Sequence, residues 1–126
     1  MKRVVTAARG PAPLAPYSQA IIANGFVFVS GQGPIEPKTG KIVLGDIKAQ
    51  TRLVLENIKT ILESAWSSLD KAVKCSVFLK DIQDFAAMNE VYKTYFKESP
   101  PARTTVQAGD IFGGIGVELD CIATLE

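Results

Sequence analysis

The stretch Ile115-Gly116-Val117-Glu118-Leu119-Asp120-Cys121-Ile122-Ala123-Thr124-Leu125 decides the fold. Successive side chains of a strand point to opposite faces, so Ile115, Val117, Leu119, Cys121, Ala123 and Leu125 share one of them. All six are apolar, and a face of that kind needs a layer of helices packed on it. The opposite face holds Gly116, Glu118, Asp120, Ile122, Thr124 and Glu126. Glu118 therefore points away from the helices, toward a surface that must be wet or covered by something else.

The helices that supply the layer are legible upstream. Ile47, Thr51, Val54, Leu55, Ile58, Ile61, Leu62 and Ala65 recur at steps of three and four, with Lys48, Arg52, Glu56, Lys59 and Glu63 between them. This pattern predicts an amphipathic helix from about Ile47 to Trp66, with Asp46 as its N-cap. A second helix is predicted from near Asp84 to about Phe96, its apolar stripe formed by Phe85, Met88, Val91, Tyr92, Tyr95 and Phe96. Asn89 lies off that stripe and is free to reach into a groove or into solvent. Between the helices, Ala72 to Leu79 reads as a strand with Val73, Cys75, Val77 and Leu79 on one face.

Toward the N-terminus, Ser18 to Ala23 and Phe26 to Ser30 flank Asn24-Gly25, the pair that suits the positive φ angles of a two-residue hairpin turn. Residues 2–6 form a further short strand, and Pro11, Pro13 and Pro16 stiffen the loop that follows. Gly31-Gln32-Gly33-Pro34 closes the second hairpin arm, and Pro37-Lys38-Thr39-Gly40 is another turn. The order β-β-β-α-β-α-β-β is that of an α+β domain, residues 1–126, with a mixed sheet and both helices on one face. The apolar content of the other sheet face points to burial against another subunit.

Pro100-Pro101-Ala102-Arg103-Thr104-Thr105-Val106-Gln107-Ala108-Gly109 holds the most pointed chemistry. The prolines enforce an extended entry. Alternation then sets Arg103, Thr105 and Gln107 on one face, and Ala102, Thr104 and Val106 on the other. An arginine on a short rigid strand is placed to grip a carboxylate or phosphate through its planar fork. The same residue could equally be an edge arginine in solvent.

Composition closes several routes. The chain of 126 residues has a formal charge of +1 and scattered Lys and Arg, which gives no electrostatic case for nucleic acid or an anionic membrane. It contains no histidine. Imidazole acid–base steps and Ser-His-Asp or Cys-His catalysis are thereby excluded, along with most zinc and non-haem iron sites. Cys75 and Cys121 show no metal or redox spacing and read as buried free thiols, which fits a reducing cytoplasm. The N-terminus reads as neither a signal peptide nor a membrane span.

Taken together, Ala15-Pro16-Tyr17-Ser18-Gln19-Ala20, Val29-Ser30-Gly31-Gln32, Lys80-Asp81 with Asp84-Phe85, Met88-Asn89, Pro101-Ala102-Arg103 and Val117-Glu118-Leu119-Asp120-Cys121-Ile122-Ala123 resemble the RidA (YjgF) family over essentially the whole chain. That resemblance implies a chorismate-mutase-like α+β fold assembled as a homotrimer, with ligand clefts between subunits. It implies cofactor-free, metal-free hydrolysis of enamine and imine intermediates, such as 2-iminobutanoate and 2-iminopropanoate, to 2-keto acids and ammonia. Carried over by position, Arg103 would grip the substrate carboxylate and Glu118 would order the attacking water. Thr105 stands where many deaminating members have cysteine, in a role played largely by main-chain groups. Tyr17, Ser30, Gly31 and Asn89 would line the cleft, Asn89 from a neighbouring subunit. Two departures stand out: Gln107 replaces a common glutamate, and Asp110-Ile111-Phe112-Gly113-Gly114-Ile115-Gly116 replaces a leucine-proline turn, so the cleft rim is expected to differ. Two rival readings belong beside this one. The first is a trimer that binds small carboxylates without turnover. The second is a ribonuclease, for which the chain lacks histidine, a basic stripe and an exposed aromatic platform.

Overall fold

The computed structural model describes residues 1–126. Six strands form one sheet: β1 (Arg3–Val5), β2 (Ala20–Ala23), β3 (Phe26–Gln32), β4 (Ala72–Leu79), β5 (Ala102–Gln107) and β6 (Val117–Thr124). Two helices, α1 (Ile47–Ser64) and α2 (Phe85–Tyr95), complete the expected order. The strands lie in the order β1-β2-β3-β6-β4-β5; β4 and β5 run parallel and every other pair is antiparallel. The sheet is thus mixed, with both helices on one face, as the alternation of the last strand requires.

Local sequence explains the elements. Asn24 (φ 50°) and Gly25 (φ 80°) both adopt the left-handed conformation that a tight β2–β3 turn demands. Asp46 caps α1, its carboxylate accepting the Ala49 N–H at 2.8 Å. The C-terminus of α1 differs from its apolar periodicity, which runs on to Trp66. The helix ends at Ser64 because Trp66 turns left-handed (φ 64°) and the Ser67 N–H folds back onto the Leu62 carbonyl at 2.9 Å. That closing motif satisfies orphan carbonyls and leaves the Trp66 indole in solvent.

The core lies between helices and sheet. Val54, Leu55, Ile58, Ile61 and Leu62 of α1 and Met88 of α2 are almost wholly inaccessible, as are Val27, Val77, Leu79, Val117 and Leu119 of the sheet. Cys75 and Cys121 face each other across β4 and β6 as buried free thiols. The second sheet face has no such cover: Phe26, Phe28 and Val106 are each about 40 % exposed, and Phe26 and Phe28 lie side by side.

Three buried amides on this scaffold hold loops rather than core. Gln19 accepts from the Ala7 N–H (2.6 Å) and donates to the Ala7 and Pro11 carbonyls, tying the proline-rich segment to β2. Gln50 accepts from the Gly116 N–H and donates to the Gly45 carbonyl, each at 2.8 Å. Asn57 donates to the Ile35 carbonyl at 2.9 Å and to that of Gly33 at 3.4 Å. The Ala7 carbonyl also accepts the Gly10 N–H (3.1 Å) and the Gly33 carbonyl the Ile35 N–H (2.9 Å). The Ala7 and Gly116 N–H groups and the Pro11, Gly45 and Ile35 carbonyls depend on these amides. A buried group left without its partner costs about 1–3 kcal/mol. The loops held in this way frame the cavity described next.

Candidate active site

β3 departs from regular pairing at its end. Val29 pairs with Cys121 and Gln32 with Leu119, so three steps on β3 match two on β6, which is a bulge at Ser30-Gly31. The bulge lies beside Glu118, on the face away from the helices. A Cβ built on Gly31 would collide with the Glu118 carboxyl group, whose Cδ would stand 2.8 Å away. Only glycine leaves room for that carboxylate to lie over the β3 backbone.

Glu118 forms one wall of a cavity of about 450 Å³. Tyr17, Ser30 and Gly31 share its lining, together with Leu14, Ala15 and Phe112. Ser30 is fixed at both ends, its hydroxyl donating to the Ser18 carbonyl at 2.6 Å and its N–H to the Gln19 carbonyl at 2.9 Å. Tyr17 accepts the Leu14 N–H through its phenol oxygen at 3.3 Å. Burial, and secondarily the neighbouring Asp120 carboxylate, raise the Glu118 pKa above the ordinary carboxylate value. A carboxyl group shifted in that sense exchanges protons more readily near neutrality than an exposed glutamate does.

Arg103, Thr105 and Asn89 are not part of this cavity. Arg103 pairs across β5 and β4 with Cys75, and Thr105 with Val77, so both point to the helix face. Glu118 pairs with Phe78 and points to the opposite face. The arginine and the glutamate, expected to act on one substrate, therefore lie on opposite sides of the sheet in one chain, with β4 between their strands.

The Arg103 guanidinium is held against α2. Its Cζ lies 4.7 Å from the Tyr92 ring centroid and 5.6 Å from that of Phe85, with Nη1 3.9 Å from the Met88 sulfur. No acidic side chain pairs with it, since the two ion pairs of the chain are Lys80–Asp110 and Lys93–Glu90. Aromatic faces hold a guanidinium in place without neutralising it. Beside it in the strand, the Thr105 hydroxyl is buried with no hydrogen-bond partner. Asn89 follows Met88 on α2 and is half-buried. Gln107 plays a structural part, accepting the Ile82 N–H at 2.8 Å and so securing the turn before α2.

The candidate residues thus fall into two separate groups. One is a cavity with a carboxylate of raised pKa; the other is an unpaired, aromatic-backed guanidinium beside an unsatisfied hydroxyl. Leu14, Ala15 and Phe112 were not singled out individually from the sequence. Phe112, a lone aromatic followed by two glycines, is the one with a readable signal. No group of three His, Cys, Asp or Glu side chains is arranged to hold a metal ion, and no helix is long and apolar enough to cross a membrane.

Fold and site together define a class: a two-layer α+β protein with a mostly apolar cavity, one wall of it a carboxylate, on the sheet face that its helices leave bare. A sequence model described as Endoribonuclease L-PSP matches residues 7–125. A RutC family protein of Pyrococcus horikoshii is 54% identical over 126 residues, 100% of both chains. Reactive Intermediate Deaminase A of Arabidopsis thaliana, a chloroplastic protein, is 42% identical over 124 residues, 98% of this chain and 66% of the plant protein. The crystal structure of Escherichia coli TdcF with bound serine superposes with a TM-score of 0.92 at 37% identity, covering 97% of this chain and 98% of that one. The chain belongs to the Endoribonuclease L-PSP family, also known as the YjgF/RidA family.

Proposed function

We propose that this protein is a cofactor-free hydrolase of 2-imino acids, 2-iminobutanoate and 2-iminopropanoate among them, working as a homotrimer. Each active site pairs the cavity of one subunit with the Arg103 half-site of the next. The observation that carries this reading is the separation of Arg103 and Glu118 onto opposite sheet faces. A second copy seated on the bare face would bury the exposed Phe26, Phe28 and Val106. It would also bring the unpaired guanidinium to the mouth of the cavity. A closed ring of three such heterologous contacts is an ordinary solution for an interface of this kind.

The chemistry then follows from the groups present. Arg103 grips the carboxylate of the imino acid through two parallel N–H···O contacts. Asn89 and the Thr105 hydroxyl from the same subunit, with Tyr17, Ser30 and Gly31 from the other, border the bound acid. Glu118 and the Thr105 carbonyl orient a water at C2. As the water oxygen bonds to C2 of the protonated imine, the C=N π pair moves to nitrogen and Glu118 accepts the water proton. The carboxyl group passes that proton to the nitrogen. It then takes the hydroxyl proton as the C–N bond breaks and gives it to the departing ammonia, so that a 2-keto acid and ammonium leave and the carboxylate is restored. Positioning and one proton shuttle suffice, because a protonated imine carbon is already electrophilic.

Steady-state kinetics on enzymatically generated 2-iminobutanoate test the assignment. Arg103→Ala is expected to raise KM by about 10²-fold, the loss of charge-assisted hydrogen bonds worth about 1.5–3 kcal/mol each. Glu118→Gln is expected to lower kcat by about 10²-fold or more with little change in KM. Wild-type kinetics in both variants would refute the roles. A second reading, a trimer that holds small carboxylates without turnover, draws on the serine bound to TdcF. Thermal stabilisation of the wild type by 2-ketobutyrate without any imine hydrolysis would favour it. The nuclease named in the family description finds no histidine here, and the chain carries a formal charge of only +1.

A further inference from the structure

Phe112 opens the short 3₁₀ turn Phe112–Gly114, and three glycines around it have positive φ: Gly109 (80°), Gly113 (62°) and Gly114 (75°). No β-branched or bulky side chain would follow that path easily, so the segment is shaped to carry one aromatic ring to a particular place. The ring edge is seated on Gly33, where a Cβ would come within 2.9 Å of the Phe112 Cζ. Gly33 is itself buried and held from beneath by Asn57. The ring is about 40 % exposed, and it lines the cavity with Leu14, Ala15 and Tyr17. The polar groups of the cavity, Ser30, Gly31 and Glu118, form the rest of its lining.

The cavity measures about 450 Å³ in one chain before a neighbour is seated on it, and Leu14, Ala15, Tyr17 and Phe112 make up the apolar part of its lining. The reacting end of an imino acid is served by the polar groups, which leaves the apolar part of the cavity for its side chain. We propose that Phe112 is the specificity-determining residue of this cavity, and that the protein prefers 2-imino acids with long aliphatic or aromatic side chains to those bearing methyl or ethyl groups. This inference rests on the cavity being the imine site.

The test compares kcat/KM for imines that an L-amino-acid oxidase generates from leucine, methionine, phenylalanine and alanine. In the wild type, each added buried methylene is expected to raise kcat/KM about fourfold. Phe112→Ala is expected to lower the long-chain values by a larger factor than the alanine-derived one, flattening the profile. Phe112→Leu should retain the aliphatic preference and lose the aromatic one. A flat wild-type profile, or a preference that survives Phe112→Ala, overturns the proposal. Calorimetric binding of 4-methyl-2-oxopentanoate and pyruvate gives a readout that does not need turnover. Phe112-dependent preference for the longer acid with no hydrolysis would overturn the hydrolase reading and uphold the specificity. Hydrolysis without such preference would do the reverse, and binding of neither acid without hydrolysis would overturn both.

Discussion

Gly31→Ala is the most economical perturbation of the site, because it adds one methyl group where only the Glu118 carboxylate can respond. Gly31 is not in the left-handed region, so alanine brings no backbone strain. The three nearest neighbours of the new Cβ all belong to Glu118: Oε2, Cδ at 2.8 Å and Cγ at 3.2 Å. Ordinary contact requires the carboxyl group to retreat by on the order of 1 Å, and a misplacement of that size in a reacting group costs about 10²-fold in rate. The half-buried side chain has the cavity to move into, so the fold is expected to survive. Kinetics on 2-iminobutanoate should show kcat reduced by about 10²-fold with the circular dichroism spectrum unchanged. The decisive arm is the double variant with Glu118→Gln. If Gly31→Ala acts by displacing that carboxylate, it costs little more once the carboxylate is gone, and the two losses are strongly non-additive. Full activity in Gly31→Ala, or additive losses in the pair, would refute the reasoning.

Two further outcomes follow from the same structure. Glu118 has a folded-state pKa above its unfolded value, so it favours the folded state below the unfolded pKa and loses that contribution as pH rises through the folded pKa. Glu118→Gln should therefore raise the midpoint of thermal unfolding at pH 7 relative to wild type, with the difference shrinking below the normal glutamate range; an equal gain at every pH would contradict the cause assigned. Asn57→Leu removes the donor that serves the buried Ile35 carbonyl, while the Gly33 carbonyl keeps the Ile35 N–H at 2.9 Å, and it should destabilise the protein by about 2 kcal/mol in chemical denaturation; a loss below about 0.5 kcal/mol would show the Ile35 carbonyl to be otherwise satisfied.

Much of this architecture is legible in the chain because its signals are local and repeated. Asn24-Gly25 announces its turn, Asp46 announces the start of α1, and the strict alternation of Val117 to Thr124 assigns every side chain of β6 to a face. The bulge at Ser30-Gly31 leaves no comparable trace, since one extra residue in a strand changes pairing without changing composition. Trp66 continues the apolar period of α1 yet lies beyond its end, because the left-handed turn that stops the helix is set by hydrogen bonds to Glu63 and Leu62. Gln50 and Asn57 sit at helical spacing within that same apolar stripe, and two amides on a buried face are a readable sign of loops that need partners. Alternation alone places Glu118 away from the helices and groups Arg103 with Thr105 and Gln107, without saying which face of the sheet that group occupies. That Arg103 and Glu118 occupy opposite faces of one sheet required the pairing of β5 with β4 and of β4 with β6, which is long-range information.

The most direct measurement is complementation between two inactive chains. An Arg103→Ala chain and a Glu118→Gln chain carrying different tags are co-expressed, and assemblies holding both tags are purified and assayed on 2-iminobutanoate. In a ring of three, any mixture leaves one site with an intact arginine from one subunit and an intact glutamate from its neighbour, so roughly a third of wild-type activity returns. Mixed assemblies no more active than either parent would contradict a catalytic site shared between copies.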